Sequence, residues 1–281
     1  MPTNNHSKNN VAKLCALALL SISITACANN SAQLTTSAES TVKPAVAKVS
    51  PLPISNAVKW QTQSKEYAFL TSAIYQQGTN SLKQLETTPS NWVVVMDVDE
   101  TVLDNSAYQV GIEQKGESYS SATWASWVAS ENATLVPGVA GFIQAVFAKG
   151  GKVALITNRN KPLDEHTWRN LLAQGLPLSA ENTCLVGRSA SDKSAVGQAN
   201  IVNDKDLRRQ QVINGTADCY QVDANAKPPK AWAAKQAIIM EVGDNIEDFS
   251  QVTQEEADLD TLVPQWPQKL ILLPNPMYGS W

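Results

Sequence analysis

The sequence predicts an α/β fold in which a parallel sheet is flanked by helices and carries a small, mainly helical cap. Three observations predict it: short apolar runs rich in β-branched residues, helical periodicity between those runs, and acidic or polar residues directly after them. The first run, at residues 92–96, is too short for a buried helix and ends at Asp97, as in a buried parallel strand. Ligands of such sheets bind at the carboxyl ends of the strands, so we expect a site beside Asp97.

The composition limits the classes of protein and partner. The chain has 281 residues and a net charge of −4, which fits one or two domains. It lacks the basic excess that is typical of nucleic-acid-binding proteins. We therefore expect no nucleic-acid partner.

The N-terminal region is typical of an exported protein. Two lysines and an apolar run at residues 14–24 lead into Ile24-Thr-Ala-Cys27, a pattern that resembles bacterial lipoprotein signals. The resemblance implies that residues 1–26 are removed and that Cys27 carries a membrane-anchoring lipid. Because Ala28 follows, it also implies an outer-membrane lipoprotein that faces the periplasm or the cell surface. The alternative is an ordinary export signal that is cleaved nearby.

The folded domain is predicted to begin at residue 57. Residues 27–56 lack apolar periodicity and cannot bury enough surface to offset chain entropy, so we expect a flexible tether. Residues 58–85 have apolar side chains at helical spacing, which predicts two packed helices with a break at Gly78. Residues 57–281 are enough for one well-buried domain with a small cap.

A cap is predicted at about residues 105–136. This polar, aromatic stretch lies between the first strand and the next helix and contains Trp124 and Trp127, one helical turn apart. Trp127 is expected in the core of the cap. The residues alone leave open whether Trp124 is also core or faces the carboxylates.

A helix followed directly by a strand comes next. The helix starts at Pro137 and ends at a Gly-Gly pair, and the strand covers residues 152–157; such a step builds a parallel sheet. Thr157 and Asn158 end this strand at the same edge as the first one, where a hydroxyl and turn amides suit a phosphate oxygen. Asp164 is expected to cap the following helix.

Four carboxylates are predicted to meet at this edge. Further strands are predicted at residues 184–187, 237–242 and 269–273. Asp244 and Asp248 follow the second of these and would join Asp97 and Asp99 in a site for Mg²⁺, which prefers oxygen ligands. An EF-hand calcium loop that starts at Asp97 is excluded, because Tyr108 stands where that loop needs its Glu.

Three motifs together resemble one family. They are Asp97-Val-Asp-Glu-Thr101, Ile156-Thr-Asn-Arg159 and Gly243-Asp-Asn-Ile-Glu-Asp248, and they resemble the motifs of the haloacid dehalogenase (HAD) superfamily. More narrowly, they are similar to its four-aspartate branch, the class C acid phosphatases and surface-lipoprotein 5′-nucleotidases. The C-terminal sequence from Leu272 to Trp281 is similar to the same group. The resemblance implies a Rossmann-like core.

The resemblance also implies a role for each acid. Asp97 would be the nucleophile that forms an aspartyl-phosphate. Asp99 would be the general acid and base, with its backbone carbonyl on Mg²⁺. Asp244 would bind the metal directly, and Asp248 directly or through water. Thr157 would hold a phosphoryl oxygen.

The segment between the last two motifs leaves several alternatives open. The family implies a lysine that neutralises the transferring group; Lys205 is preferred to Lys193 because basic residues follow it at a predicted helix start. Residues 214–232 depart from the family pattern as an insertion, which we interpret as a surface loop rather than a lid. In an oxidising compartment Cys184 and Cys219 could form a disulfide that pins it, with two free thiols as the alternative.

The expected activity is hydrolysis of phosphomonoesters by a Mg²⁺-dependent acid phosphatase, with 5′-nucleotides as substrates. The family implies that Trp124 and Tyr278 clamp the nucleotide base by stacking, and that the protein forms homodimers. His6 and His166 offer no catalytic constellation, so a histidine-type acid phosphatase is disfavoured. A non-catalytic ligand-binding lipoprotein and a phosphotransferase acting on alcohols are the alternatives.

Overall fold

A parallel sheet forms the centre of the fold, as the sequence predicts. The computed structural model describes residues 50–223 and 229–281. Its strands are β1 (Trp92–Met96), β2 (Leu103–Asp104), β3 (Thr134–Leu135), β4 (Lys152–Asn160), β5 (Thr183–Arg188), β6 (Ala237–Gly243) and β7 (Leu270–Leu272). Five of them form the sheet in the order β5-β4-β1-β6-β7, with every neighbouring pair parallel. The predicted α/β class is therefore confirmed.

Helices connect these strands. They are α1 (Asn56–Gln63), α2 (Lys65–Gln84), α3 (Ser106–Lys115), α4 (Ser121–Ser130), α5 (Val139–Ala148), α6 (Asp164–Ala173), α7 (Ala190–Ala195), α8 (Asp206–Asn214) and α9 (Leu259–Leu262). Among the described residues, no helix is long and apolar enough to cross a membrane. The predicted signal, Cys27 and the tether up to residue 49 lie outside the described residues.

The strand β1 is buried on both faces, which explains its continuous apolar sequence. Val94 and Met96 belong to one hydrophobic core, formed with α2, α5 and α6. Val93 and Val95 belong to a second core, formed with α8 and the segment after it. Because side chains alternate along a strand, β1 holds the two layers together and fixes the residues at its carboxyl end.

Residues 105–136 contain α3 and α4, joined to the sheet by the short antiparallel pair β2–β3. Residues that precede the predicted domain start at 57 already contact this region. The Leu52 N–H donates to the Gln114 carbonyl at 2.9 Å, and Ser55 caps α1. The end of the predicted tether therefore already contacts the folded domain, because the predicted cap region offers it hydrogen-bond partners.

The predicted helix break at Gly78 is wrong. The break lies at Ser64, whose extended backbone ends α1 and whose side chain accepts a hydrogen bond from the Tyr67 N–H to cap α2. Gly78 lies inside α2, where a Cβ would collide with Ile271 of β7. The glycine therefore serves close helix–sheet packing and not a turn.

Asp164 does not cap α6, contrary to the prediction. A short 3₁₀ turn at Lys161–Leu163 leads straight into the helix, and Asp164 is its first residue. Its carboxylate turns to β5, where it accepts a hydrogen bond from the Gly187 N–H at 3.3 Å. A side chain at position 187 would collide with this carboxylate, so tertiary packing decides the role of Asp164.

The segment 214–232, which we predicted to be an insertion, is attached to the sheet by a disulfide. Cys184 of β5 and Cys219 are bonded to each other, and the Tyr220 N–H donates to the Leu185 carbonyl at 2.8 Å. Further along, Trp232 is buried and donates its indole N–H to the Ala180 carbonyl at 3.0 Å. These contacts hold the described part of this segment against one side of the sheet.

We expect the double variant Cys184→Ala/Cys219→Ala to be less stable by about 4 kcal/mol, since the bond closes a loop with a sequence separation of 35 and restricts the unfolded chain. Denaturant unfolding of the oxidised wild type, the reduced wild type and the variant measures this. The reduced wild type is the control and should match the variant. Equal unfolding free energies for all three proteins would contradict the prediction.

Candidate active site

Three of the four predicted acids meet at the carboxyl edge of the sheet. Asp97 follows β1, and its N–H donates to the Val242 carbonyl of β6 at 2.9 Å. Asp244 follows β6, and Asp248 ends the 3₁₀ turn Ile246–Asp248. Oxygen atoms of Asp97, Asp244 and Asp248 lie within 4.8 Å of one another. We call these three residues the acid triad.

The chemistry of the acid triad fits a divalent metal ion. Burial raises the pKa of Asp97 to about 7; Lys205 opposes this shift, and the charges of Asp248 and Asp99 add to it. Burial, together with Asp248 and Asp97, also raises the pKa of Asp244 well above its ordinary value. Buried like charges that disfavour one another call for a cation. Because all three ligands are carboxylates, a hard cation such as Mg²⁺ suits them.

The side chain of Asp99 lies apart from the acid triad. Its Oδ1 atom accepts hydrogen bonds from Arg159 Nε and Asn105 Nδ2, each at 2.9 Å, and its Oδ2 atom accepts one from Thr157 Oγ1 at 3.3 Å. Among the predicted metal ligands, Asp99 is therefore the one whose carboxylate the structure directs elsewhere, towards the cap and β4.

Lys205 is the lysine that reaches the acids. It precedes α8, and its Nζ forms ion pairs with Asp97 and Asp248. Burial alone would lower a lysine pKa, but Asp248 and Asp97 raise the pKa of Lys205 above its ordinary value. Lys193 is exposed on α7 and does not line the cavity described below. The structure thus places Lys205, and not Lys193, beside the acids.

Thr157 and Asn158 lie within β4, and Thr157 contacts Asp99. This strand continues to Asn160, three residues beyond its predicted end, because Asn160 pairs with Arg188 of β5. The buried guanidinium of Arg208 donates to the Thr157 carbonyl and, at 2.7 Å, to Asn158 Oδ1. Asn158 lines the cavity, and Arg208 holds both residues in place.

A cavity of about 460 Å³ lies next to these groups. Asp97, Lys205 and the two other members of the acid triad line it, together with Trp124 of the cap and Tyr278 of the C-terminal tail. Tyr119, to which the sequence assigned no role, also lines it, with its ring centroid 6.3 Å from that of Trp124. No described residue of the predicted insertion at 214–232 lines this cavity.

Sequence reasoning missed the residues that hold the acids in place. Thr101 Oγ1 donates to one oxygen of Asp244 at 3.1 Å, and Asn275 Nδ2 donates to the other at 2.9 Å. Arg159 and Asn105 both donate to Oδ1 of Asp99. Each of these residues stands in or beside a stretch that resembles the family, which was the only signal available, since their partners are far away in the sequence.

His166 lies outside the site. Its Nδ1 atom contacts Glu131 Oε1 at 2.7 Å, and Arg169 joins the same carboxylate. This cluster connects α6 to the end of α4 and does not line the cavity. No histidine among the described residues therefore lies at this site.

Comparisons with known proteins agree with this geometry. A family model described as HAD superfamily, subfamily IIIB (acid phosphatase) matches residues 15–281. Two similar solved structures are the class C acid phosphatase from Bacillus anthracis and the same enzyme with tungstate bound; each is 25% identical, with a TM-score of 0.60, and the match covers 80% of this chain and 84% of the other. Phosphatases of this superfamily use a divalent metal. The predicted resemblance is confirmed, and the chain belongs to HAD subfamily IIIB, the acid phosphatases, and is a phosphomonoesterase.

Proposed function

We propose that this phosphomonoesterase hydrolyses 5′-nucleotides with the help of Mg²⁺ and through an aspartyl-phosphate on Asp97. The observation that carries the proposal is the position of Asp97. It is buried beside Lys205 and two further acids, and it lies at a cavity with aromatic walls. This arrangement supports a negatively charged group at one end of the substrate and a planar group at the other.

Each residue has a defined part in the proposed reaction. A carboxylate oxygen of Asp97 forms a bond to phosphorus while the ester P–O bond breaks and its electrons stay with the leaving oxygen. Lys205 pairs with the negative charge of the phosphoryl oxygens. Asp99 gives a proton to the leaving oxygen and later takes one from the water that hydrolyses the aspartyl-phosphate. Bound Mg²⁺ would be held by the acid triad and would neutralise charge on the phosphoryl group.

The aromatic lining supports a nucleotide as the substrate. Trp124, Tyr119 and Tyr278 offer ring faces on which a base can stack without regard to its identity, so we expect several nucleotides to be accepted. The Bacillus anthracis enzyme was solved with tungstate, a tetrahedral oxyanion of the same shape as phosphate. Binding of an oxyanion by a similar fold supports a phosphate site here.

The place of action is also a proposal. The lipoprotein-like sequence that ends at Cys27 supports a lipid anchor and an outer-membrane location. In that location the enzyme would meet nucleotides outside the inner membrane. We further propose that it acts there as a homodimer, on the basis of the family resemblance.

Chelation of divalent metals should lower phosphate release from 5′-nucleotides by at least about 100-fold, because the charge neutralisation that the metal supplies is worth several kcal/mol. Added Mg²⁺ should restore the activity. A proton competes with the cation on Asp97, whose pKa burial raises to about 7, so the apparent Mg²⁺ affinity should fall as the pH is lowered from about 7.5 to about 5.5. Steady-state phosphate release and calorimetric titration measure the two effects.

A panel of substrates and metals provides the controls. Glycerol phosphate, which lacks a base, should show a higher KM than the nucleotides, and Ca²⁺, Mn²⁺ and Zn²⁺ should be compared with Mg²⁺. Full activity in excess chelator would refute the metal requirement. Equal kcat/KM for glycerol phosphate and all nucleotides would refute the role of the aromatic walls.

A further inference from the structure

Arg159 is a buried cation whose contacts point at the proposed general acid. Its side chain is 1% exposed, and it pairs with Asp99 Oδ1 through both Nε, at 2.9 Å, and NH2, at 2.8 Å. NH1 donates to Thr167 Oγ1 at 3.1 Å, and NH2 donates to Asn105 Oδ1 at 3.2 Å. The guanidinium group is planar and its N–H donors point in fixed directions, so several simultaneous partners hold it in one orientation. Arg159 is therefore a rigid support for the carboxylate of Asp99.

The two oxygens of Asp99 have different surroundings. Oδ1 receives N–H donors from Arg159 and from Asn105 Nδ2. These donors cannot accept hydrogen bonds in return, so Oδ1 is restricted to the role of acceptor. From the described residues, Oδ2 receives only the longer contact from the Thr157 hydroxyl, at 3.3 Å, and a hydroxyl can rotate and change its partner. Only Oδ2 is thus able to carry a proton without losing a charged donor.

The cap fixes this arrangement from the other side. Asn105 is fully buried, and its Oδ1 accepts a hydrogen bond from the indole N–H of Trp127 at 2.8 Å. Because Trp127 and Arg159 both donate to Asn105 Oδ1, the amide cannot flip without losing both contacts, so its NH₂ group stays directed at Asp99. Trp127, which we expected only in the core of the cap, is joined in this way to the site.

We propose that Arg159 and Asn105 are positioning residues that hold Oδ1 of Asp99, so that Oδ2 alone faces the leaving oxygen, and that Trp127 secures them from the cap. This inference rests on the proposed function, in which Asp99 transfers protons. The proton on Oδ2 passes to the leaving oxygen as the P–O bond breaks and its electron pair stays on that oxygen. Oδ2 then takes a proton from the attacking water, which restores the starting state.

The proposal is tested by the dependence of kcat/KM on the leaving group. Nitrophenyl phosphate has a good leaving group that needs little protonation, whereas benzyl phosphate has a similar shape and a poor leaving group. Since general acid catalysis contributes roughly 10²- to 10⁴-fold, Arg159→Met should lose about 10²- to 10³-fold with benzyl phosphate and less than about tenfold with nitrophenyl phosphate. Arg159→Lys should recover part of this loss.

Trp127→Phe provides a milder variant in case Arg159→Met does not fold. It keeps an aromatic ring and removes one N–H donor, so we expect a loss of roughly three- to tenfold with benzyl phosphate only, a small part of the general-acid contribution. Trp232→Phe is the matched control, since it also removes one indole hydrogen bond in a buried place but lies away from the cavity. It should leave both substrates unaffected.

Asp99→Asn separates failure of this inference from failure of the proposed function. If Asp99→Asn itself shows no greater loss with benzyl than with nitrophenyl phosphate, Asp99 is not the general acid and the proposed function is wrong at that step. If Asp99→Asn discriminates but the variants of Arg159 and Trp127 lose activity equally with both substrates, the positioning role is refuted. A rise in KM alone for Arg159→Met would likewise overturn it, in favour of direct substrate binding.

Discussion

Asp97→Asn protein is expected to release phosphate from nucleotides on the order of 10⁴- to 10⁶-fold more slowly than the wild type, the range seen when a covalent nucleophile is removed. An amide cannot form the aspartyl-phosphate, although it has nearly the same size and the same place after β1. Burial and neighbouring acids raise the pKa of Asp97, which means that its negative charge is unfavourable in the folded protein. The fold should survive the substitution, because an amide at this position removes that charge.

The measurement is phosphate release at saturating Mg²⁺, together with mass spectrometry after a rapid acid quench to detect a phosphorylated enzyme. Wild type should show a phosphoryl adduct and the variant none. Asp260→Asn, an exposed substitution of the same kind on α9, serves as the control and should behave as wild type. Retained turnover in Asp97→Asn would show that phosphoryl transfer does not proceed through this residue.

Lys205→Met is expected to have the second largest effect, in activity and stability together. The ammonium group pairs with Asp97 and Asp248 in a buried place. Its loss removes charge stabilisation from the transferring group, for which we expect roughly a 10³-fold decrease in kcat. Removal of one partner of a buried ion pair also destabilises a protein by about 3–5 kcal/mol.

The loss of stability in Lys205→Met should depend on pH and on metal. Below about pH 7 Asp97 takes up a proton more readily, so fewer unpaired charges remain and the difference from wild type should shrink as the pH falls. Mg²⁺ should recover part of the stability, because it binds the folded state only. Denaturant unfolding at two pH values, with and without Mg²⁺, measures both effects.

Lys193→Met is the matched control for Lys205→Met. Lys193 is exposed on α7, and its replacement should change neither kcat nor the unfolding free energy by more than a small amount. If Lys193→Met lost activity while Lys205→Met kept it, the assignment of the cation to Lys205 would be wrong.

Much of the fold was predictable because its signals are local. The apolar β-branched run of β1 and the carboxylate after it identify a buried strand from a few neighbouring residues. Predictions failed where contact with a segment far away in the sequence determines the local structure. The sequence around Gly78 allows a turn, but α2 continues through it because Ile271 of β7 packs against the glycine. Asp164 could cap a helix, but it bonds to Gly187 instead.

The sequence by itself determined the chemistry available to this protein: acids, a threonine and a lysine at the ends of predicted strands, in an order that resembles one superfamily. Only the tertiary structure decided which acids lie together and which basic side chain each of them contacts. It joined Asp244 and Asp248 with Asp97 and turned Asp99 towards Arg159. It also placed Lys205, and not Lys193, beside Asp97. The physical reason is that carboxylates in a shared buried space compete for few cations, and which acid obtains which cation depends on distances between segments far apart in the chain.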